Sequence, residues 1–512
     1  MATNSLHDQL LTSFRKLIVP AWFASLVHQT DPVQNAEDPV TFRQRTGAAL
    51  ADIHTQLNQL LKQEPEEKGL DAETKPRLPG TTTPETSSTE PSFIAVGVAV
   101  CAQFHTTATI DRPWTNRELE SIARRILRQL ASLSQRYQPT APVPCLSSIV
   151  PEDNHGRPNE NSTHPPTATD EVNGGNDHDA ETPPVDTQLV HSYFMAIVND
   201  WIRPAFSHAT PRWATVRPNA GVPHRRDQEN QRVLFHSDQP WKKEYPATVA
   251  ILDWCIQYAP TTIWRADNAS PRHLLAVMPP VLTLLDDYDT ACKLQGVYLV
   301  QRLLVSSAAT VKHLKTTGLA LAINDAIMQA ILYRPQEPLA LNLLQANWTT
   351  LLQLTDVLHI PRSEPWFDCL QNLVEHGLLP NFLYHGQHIQ VRPVLLDQIG
   401  GLTERMGLSV TLFLKPMLHE CCQSLGEPIL GGPTLLKIHI AASRALVSLA
   451  RACRPRLDNY GPDIYQSVRA SWEETLLPEN QELTELPELI ALLREFTEIV
   501  ADPSDSQTPE PA

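Results

Sequence analysis

One run of residues has the types that bind metal ions. His419, Glu420, Cys421 and Cys422 are contiguous. Adjacent helical positions point about 100° apart, so only His419 and Cys422 could meet one ion. Two ligands make a weak site, and we interpret the run as helix interior.

Two further groups invite a chemical reading. His385 and His388 lie in a short stretch without a nearby third ligand, so we expect surface residues. Asp286, Asp287 and Asp289 lack the glycine and the terminal glutamate of a calcium-binding EF-hand loop. We interpret these carboxylates as groups that cap the turn and form a ladder of charge interactions with Lys293. The chain also lacks the nucleophile-elbow, phosphate-loop, dinucleotide and zinc-protease motifs. The sequence therefore predicts no enzyme, no cofactor and no metal site.

The acidic cluster lies between two helical patterns within 271–305. Apolar residues recur at helical spacing on both sides of the cluster, which predicts two packed helices joined by a tight turn. Pro280 would bend or start a segment of the first helix, and Gly296 would let the second helix approach it closely. Asp287 is expected near the turn, in reach of Lys293 or of an amide in the next unit. This order resembles the HEAT helical-hairpin unit.

Helical periodicity continues along the rest of the chain and no window shows strand alternation. We predict an all-α fold, an irregular HEAT-like α-solenoid of helical hairpins with disordered insertions, in which one repeat is clear. The later helical patterns cover Leu319–Tyr333, Leu341–Leu354, Trp366–Leu373, Val394–Ile399, Leu408–Leu425, Leu435–Cys453 and Leu486–Val500.

Composition divides the chain into four parts. Residues 1–137 are predicted to be an N-terminal helical region, in which Thr115 and Glu118 form a capping box at the start of one helix. A flexible insertion at 63–91 and a disordered linker at 138–186 contain few large apolar residues. The C-terminal solenoid is expected over 187–501, followed by a flexible tail at 502–512. The sequence leaves open whether the N-terminal helices join the C-terminal array.

The composition also limits the function. A formal net charge of -16 argues against direct nucleic-acid binding, which depends on clustered Lys and Arg. The eight cysteines are scattered without zinc or disulfide spacing, which indicates intracellular usage. The N-terminus lacks a secretory pattern, and the longest apolar run, Phe93–Cys101, is shorter than the roughly 20 residues that span a bilayer. We expect no membrane partner and a protein of the cytoplasm and nucleus.

Two stretches carry a resemblance to a known family. MPPVLTLLDDYDTACKLQGVYLVQRLL and TTGLALAINDAIMQAILYRP resemble the core of the Tti2 (Tti-two) family, the smallest subunit of the TTT co-chaperone complex. The upstream QPWKKEYPATVAILDWCI, with Trp241, Lys242 and Trp254, is also similar, so that the resemblance covers roughly Pro240 to Leu354. The positions that match the family pattern are Pro279 or Pro280, Leu282, Leu284, Leu285, Asp286, Asp287, Lys293, Gly296, Gly318, Leu319 and Pro335.

The resemblance implies a non-catalytic scaffold that assembles with two larger helical-repeat subunits. The resemblance also implies that these two subunits connect the scaffold indirectly to the heat-shock chaperone machinery and its ATPase adaptor. That machinery matures and stabilises the phosphatidylinositol-3-kinase-related kinases. DNA-damage, telomere and TOR signalling depend on those clients. The alternative is another HEAT-repeat adaptor, of the phosphatase-scaffold or nuclear-transport type, which regular repeats of about 40 residues with an Asp and an Arg in each would favour.

We assign two roles to particular residues on this basis. The structural hairpin motif comprises Pro280, Asp286, Asp287, Lys293, Gly296 and Gly318. Partner binding is expected on the apolar helices between Leu408 and Cys453. The candidate residues there are Leu412, Phe413, Met417, Leu435 and Leu446.

Overall fold

A computed structural model describes residues 2–19, 38–62, 92–105, 112–137, 184–206, 240–243, 245–265, 272–429 and 432–501. All regular elements within these ranges are helices, and none of them is a strand, which confirms the prediction of an all-α fold. The insertion at 63–91, the tail at 502–512 and most of the linker at 138–186 lie outside the described residues. No described helix is both long and apolar enough to cross a membrane.

The described residues divide into two compact units, with the boundary between Ile197 and Val198. The helices of the first unit are α1 (Ala2–Lys16), α2 (Pro39–Lys62), α3 (Ser92–Ala102), α4 (Arg117–Tyr137) and α5 (Val185–Ile197). Helix α2 packs on α4, α1 packs on α3, and α5 packs on both α3 and α4. The sequence predicts a C-terminal solenoid from residue 187, whereas the residues up to Ile197 pack in the first unit. The apolar stripe of α5 predicts a buried face, but a stripe does not say which neighbour covers it.

The cap of α4 also differs from the prediction. The side-chain oxygen of Asn116 accepts the N–H of Leu119 at 2.8 Å, so Asn116 fills the capping position. Thr115 instead donates its hydroxyl to the carbonyl of Phe104, 3.0 Å away. Both residue types cap helices well, and the tertiary contact to Phe104 decides between them.

The second unit is a two-layer stack of helices. Its short first elements are a π-helical turn at Val198–Ile202, α6 (Arg203–Phe206), α7 (Pro240–Lys243) and α9 (Thr261–Trp264). The first layer contains α8 (Thr248–Tyr258), α11 (Thr290–Ser306), α14 (Ala340–Leu358), α17 (Arg392–Met406), α19 (Pro433–Leu457) and α21 (Leu486–Ala501). The second layer contains α10 (Arg272–Leu285), α13 (Leu319–Gln329), α15 (Glu364–Leu373) with its continuation α16 (Leu379–His385), α18 (Leu414–Gly426) and α20 (Gly461–Thr475). A further helix, α12 (Ala308–Thr316), links α11 to α13.

Four pairs of consecutive helices in the first layer pack on each other, namely α8 with α11, α11 with α14, α17 with α19, and α19 with α21. Polar contacts between neighbouring repeats recur at a nearly constant sequence separation. It is 45 residues for Arg302 with Gln257, 49 for Gln301 with Thr350, 48 for Tyr333 with Asn381, 45 for Ile429 with Glu474 and 44 for Arg444 with Glu488. These separations are close to the roughly 40 to 47 residues of a HEAT repeat. The helical-repeat prediction is therefore confirmed. The spacing of these contacts shows the repeat more regularly than the sequence motif does, since only one repeat is clear in the sequence.

Candidate functional site

The hairpin of α10 and α11 is closely packed at Gly296. A Cβ atom built on Gly296 would lie 3.1 Å from the Leu284 Cβ atom and 3.1 Å from the Leu285 backbone nitrogen. The two helices therefore meet at a distance that only glycine allows without a shift. Pro280 is buried inside α10, where its ring removes one backbone N–H from the helix.

The turn of this hairpin contains a buried ion pair. The Nζ atom of Lys242 lies 2.5 Å from the Oδ1 atom of Asp287, and the same oxygen accepts the N–H of Asp289 at 2.8 Å. The Asp287 side chain is 0% exposed and that of Lys242 is 10% exposed. A buried carboxylate destabilises a fold unless its charge is paired, so the pair couples α7 to the α10–α11 turn.

The three neighbouring carboxylates have three separate roles. Asp286 is exposed to solvent, Asp287 is buried against Lys242, and Asp289 caps α11 by accepting the N–H of Ala291 at 2.9 Å. They do not converge on one point, and no cluster of three metal-binding side chains occurs in the part of the chain that the structure describes. The arrangement positions helices and offers no paired acid and base.

The charges of Asp286 and Asp287 act on Lys293 as expected, but the direct ion pair of Asp287 is with Lys242. Lys293 is half-buried on α11, and its burial, followed by the positive charge of Arg334, lowers its pKa. Sequence spacing favoured a partner six residues away. The observed partner is 45 residues upstream, within the QPWKKEYP stretch that already marked the resemblance.

Gly318 forms the turn between α12 and α13. Its φ is 74°, in the left-handed region, and a Cβ atom there would meet nothing within 4 Å. Any other residue could fit the space but would adopt an unfavourable backbone conformation. Glycine is therefore favoured at this position because its backbone adopts the left-handed conformation without strain.

The residues predicted to bind partners separate into two groups. Leu412 is 70% exposed, and Leu435 is partly exposed at the start of α19. Met417 and Leu446 are fully buried, and Phe413 is 8% exposed. These three candidates fill the interior between α17, α18 and α19, so their side chains pack within the fold. Apolar content alone does not distinguish a core residue from a docking residue.

The cysteine and histidine groups do not form a reactive centre. Burial raises the pKa of the Cys255, Cys292 and Cys421 thiols, which keeps them protonated and poorly nucleophilic at neutral pH. His385 and His388 contact each other and Tyr333, with ring centroids 5.6 to 5.9 Å apart. Partial burial, followed by the neighbouring His388, lowers the pKa of His385. The Tyr333 ring meets both histidine rings edge-on, and such aromatic contacts at a turn account for the pair without a third ligand.

Sequence reasoning missed the contacts that connect one repeat to the next. Arg302 lies 3.0 Å from the Asp253 carboxylate, and the Arg392 side chain lies 2.5 Å from that of Glu427. The side-chain amide of Asn381 donates to the carbonyl of Ile331 at 3.1 Å. Such contacts join residues about 35 to 50 positions apart, and one sequence shows no pairing at that range.

A stack of antiparallel helices held by these inter-repeat contacts defines an α-helical repeat protein. Residues 180–430 match the model of the Tti2 family, and this segment contains the α10–α11 hairpin and the helices from α6 to α18. Through this segment the chain belongs to the Tti2 family. No solved structure matches the chain.

Proposed function

We propose that the protein is a non-catalytic scaffold subunit of a TTT-type co-chaperone complex. The observation that carries this proposal is the family match over the same helices whose buried contacts hold the stack together. A rigid stack offers large surfaces to other proteins, and a partner that binds only the folded form stabilises it by mass action without catalysis. In this role the subunit binds two larger helical-repeat subunits and supports the maturation and stability of phosphatidylinositol-3-kinase-related kinases.

The chemistry of the described residues supports a structural role. The polar groups that sequence analysis singled out are used for a cap, a buried ion pair and a glycine contact, all inside the fold. Exposed apolar side chains lie instead at turns and outer faces, including Leu383, Leu408 and Leu412. Apolar residues in such places are available to contact another protein.

Affinity purification of the full chain with mass spectrometry tests the proposal. We expect recovery of two large helical-repeat proteins, with the giant kinases and the heat-shock chaperone machinery in lower amounts. Recovery of phosphatase catalytic subunits, or of nuclear-transport cargo, would assign the chain to another class of repeat adaptor. Imaging of the tagged chain is expected to show it in both cytoplasm and nucleus.

Leu412 is the most exposed of the residues predicted to bind partners. Leu412→Glu is expected to reduce recovery of the larger subunits, because it places a charge on an exposed apolar site. Ile360→Glu is the matched control, since Ile360 is 75% exposed at the turn after α14. Equal recovery with both variants would place the subunit contact elsewhere.

A further inference from the structure

The two-layer stack of the second unit has one thinly packed junction. In the first layer α11 packs along α14, and α17 packs along α19 in the largest helix contact of the described chain. Between these two pairs α14 and α17 make almost no contact, although they are consecutive in the first layer. The junction divides the described residues of this unit into a front block, 198–385, and a rear block, 392–501.

Helices α15 and α16 are fastened to the front block. The side-chain amide of Asn381 donates to the carbonyl of Ile331 at 3.1 Å, and its oxygen accepts the N–H of Tyr333 at 2.9 Å. Gly377, between α15 and α16, lies directly against the side chains of Ile331 and Trp348. The front block therefore keeps its internal contacts up to the end of α16.

Helix α17 is fastened to the rear block. The Arg392 side chain at its start pairs with Glu427 after α18 at 2.5 Å. Farther along α17, the Asp397 carboxylate lies 3.6 Å from the Arg444 guanidinium on α19. The rear block thus has its own contacts from its first helix onward.

Side chains connect the two blocks at one place. A guanidinium nitrogen of Arg405 lies 3.8 Å from a carboxylate oxygen of Asp356, and these side chains are 32% and 41% exposed. Among the residues that the structure describes, no other side-chain hydrogen bond or ion pair joins α14, α15 or α16 to the rear block. An exposed ion pair contributes little, because solvent and salt screen it. The junction between α11 and α14 instead has the part-buried hydrogen bond from Gln301 to Thr350.

The second layer is interrupted directly before this junction. Pro380 has no backbone N–H, so the carbonyl of His376 loses its helical partner. The N–H of Leu379 donates instead to the carbonyl of Val374, five residues back, in a π-helical turn that separates α15 from α16. Turns of this kind kink helices and occur often at functional sites.

We propose that the second unit bends at the α14–α17 junction, with the front and rear blocks as two rigid bodies. Close-packed interiors resist deformation, so motion concentrates where packing is thinnest. The described chain crosses the junction once, through residues 386–391, and this connection permits a rotation of one block against the other. The inference rests on packing within this chain and does not depend on the proposed function. In a scaffold for two larger subunits, the bend adjusts the distance between surfaces on the two blocks.

Double electron–electron resonance on the purified full chain tests the bend. Nitroxide labels are attached to genetically encoded p-acetylphenylalanine, which leaves the cysteines unmodified. One pair of labels crosses the junction, at the exposed positions of Thr349 on α14 and Glu404 on α17. The control pairs lie within one block each, at Thr349 with Val305 and at Glu404 with Ala491, which are also exposed.

The width of the distance distribution is the readout. We expect the distribution of the crossing pair to be at least about twice as wide as those of both control pairs, because hinge motions displace whole blocks. Equal widths for the crossing pair and the control pairs would overturn the proposal.

The exposed ion pair provides a second readout. Arg405→Met removes the contact with Asp356 and should raise the longer-distance population of the crossing pair by up to about fivefold, the size expected for an exposed ion pair. Arg444→Met is the matched control, since Arg444 pairs with Asp397 and Glu488 inside the rear block, and it should leave that population unchanged. No change with Arg405→Met, or an equal change with both variants, would overturn the assignment of this pair as the contact that holds the junction.

Discussion

Replacing Lys242 by methionine tests the buried ion pair most directly. Methionine keeps most of the apolar volume of the side chain but removes the charge that lies 2.5 Å from Asp287. The Asp287 carboxylate would then remain fully buried with one backbone donor, the N–H of Asp289. Removing one partner of a buried pair costs about 3–5 kcal/mol. We expect a loss of this size in the stability of the α10–α11 hairpin.

Amide hydrogen exchange followed by mass spectrometry measures the effect where it arises. Because about 1.4 kcal/mol corresponds to a tenfold change, exchange in α10 and α11 should accelerate by a factor of about a hundred to several thousand. Asp287→Asn and the double variant complete a double-mutant cycle, in which the double variant should be less destabilised than the sum of the single variants.

Lys293→Met is the matched control, since Lys293 lies on the same hairpin but does not occupy the place beside Asp287. We expect it to change exchange in α10 and α11 by less than about tenfold, as a partly exposed charge contributes about 1 kcal/mol or less. If Lys242→Met and Lys293→Met had equal effects, the buried pair would not be what holds this turn.

Three further changes test a close helix contact, a turn and a buried histidine. Gly296→Ala should lower the melting temperature, because the new methyl group would lie 3.1 Å from the Leu285 backbone nitrogen. Overpacking of this kind costs about 1–3 kcal/mol. The control, Gly401→Ala in the roomier interior of α17, should be neutral or stabilising by up to about 1 kcal/mol in the same thermal scan. Gly318→Ala should destabilise by about 1–2 kcal/mol in urea titration because of its positive φ, and a neutral result would show that the turn can rearrange. His439 is buried between the carbonyl of Glu427 and the hydroxyl of Ser471, and burial lowers its pKa below the ordinary 6.5. The unfolded chain therefore binds the proton more strongly, and the free energy of unfolding should fall as the pH drops below about 6.5. His439→Gln should show a weaker pH dependence. Equal urea midpoints across that range in the unmodified chain would contradict the lowered pKa of His439.

The sequence and the structure agree where local pattern is sufficient. Apolar periodicity predicted most of the helices from Leu319 onward, although not α16 and α20, and the acidic cluster after Leu285 predicted a turn. Both signals depend on residues within one or two turns of each other, which a single sequence displays. Local pattern was insufficient at the start of α4, where Asn116 caps the helix while Thr115 bonds to Phe104.

The sequence by itself therefore determined the helical class, the central hairpin and the resemblance to the Tti2 family. Only the tertiary structure decided that Lys242 pairs with Asp287, that Met417 and Leu446 are core, and that α5 packs in the first unit. The physical reason is that each of these depends on which distant surface covers a given side chain. A helical stripe specifies that a face is buried, but the partner is chosen by packing between residues that are tens of positions apart.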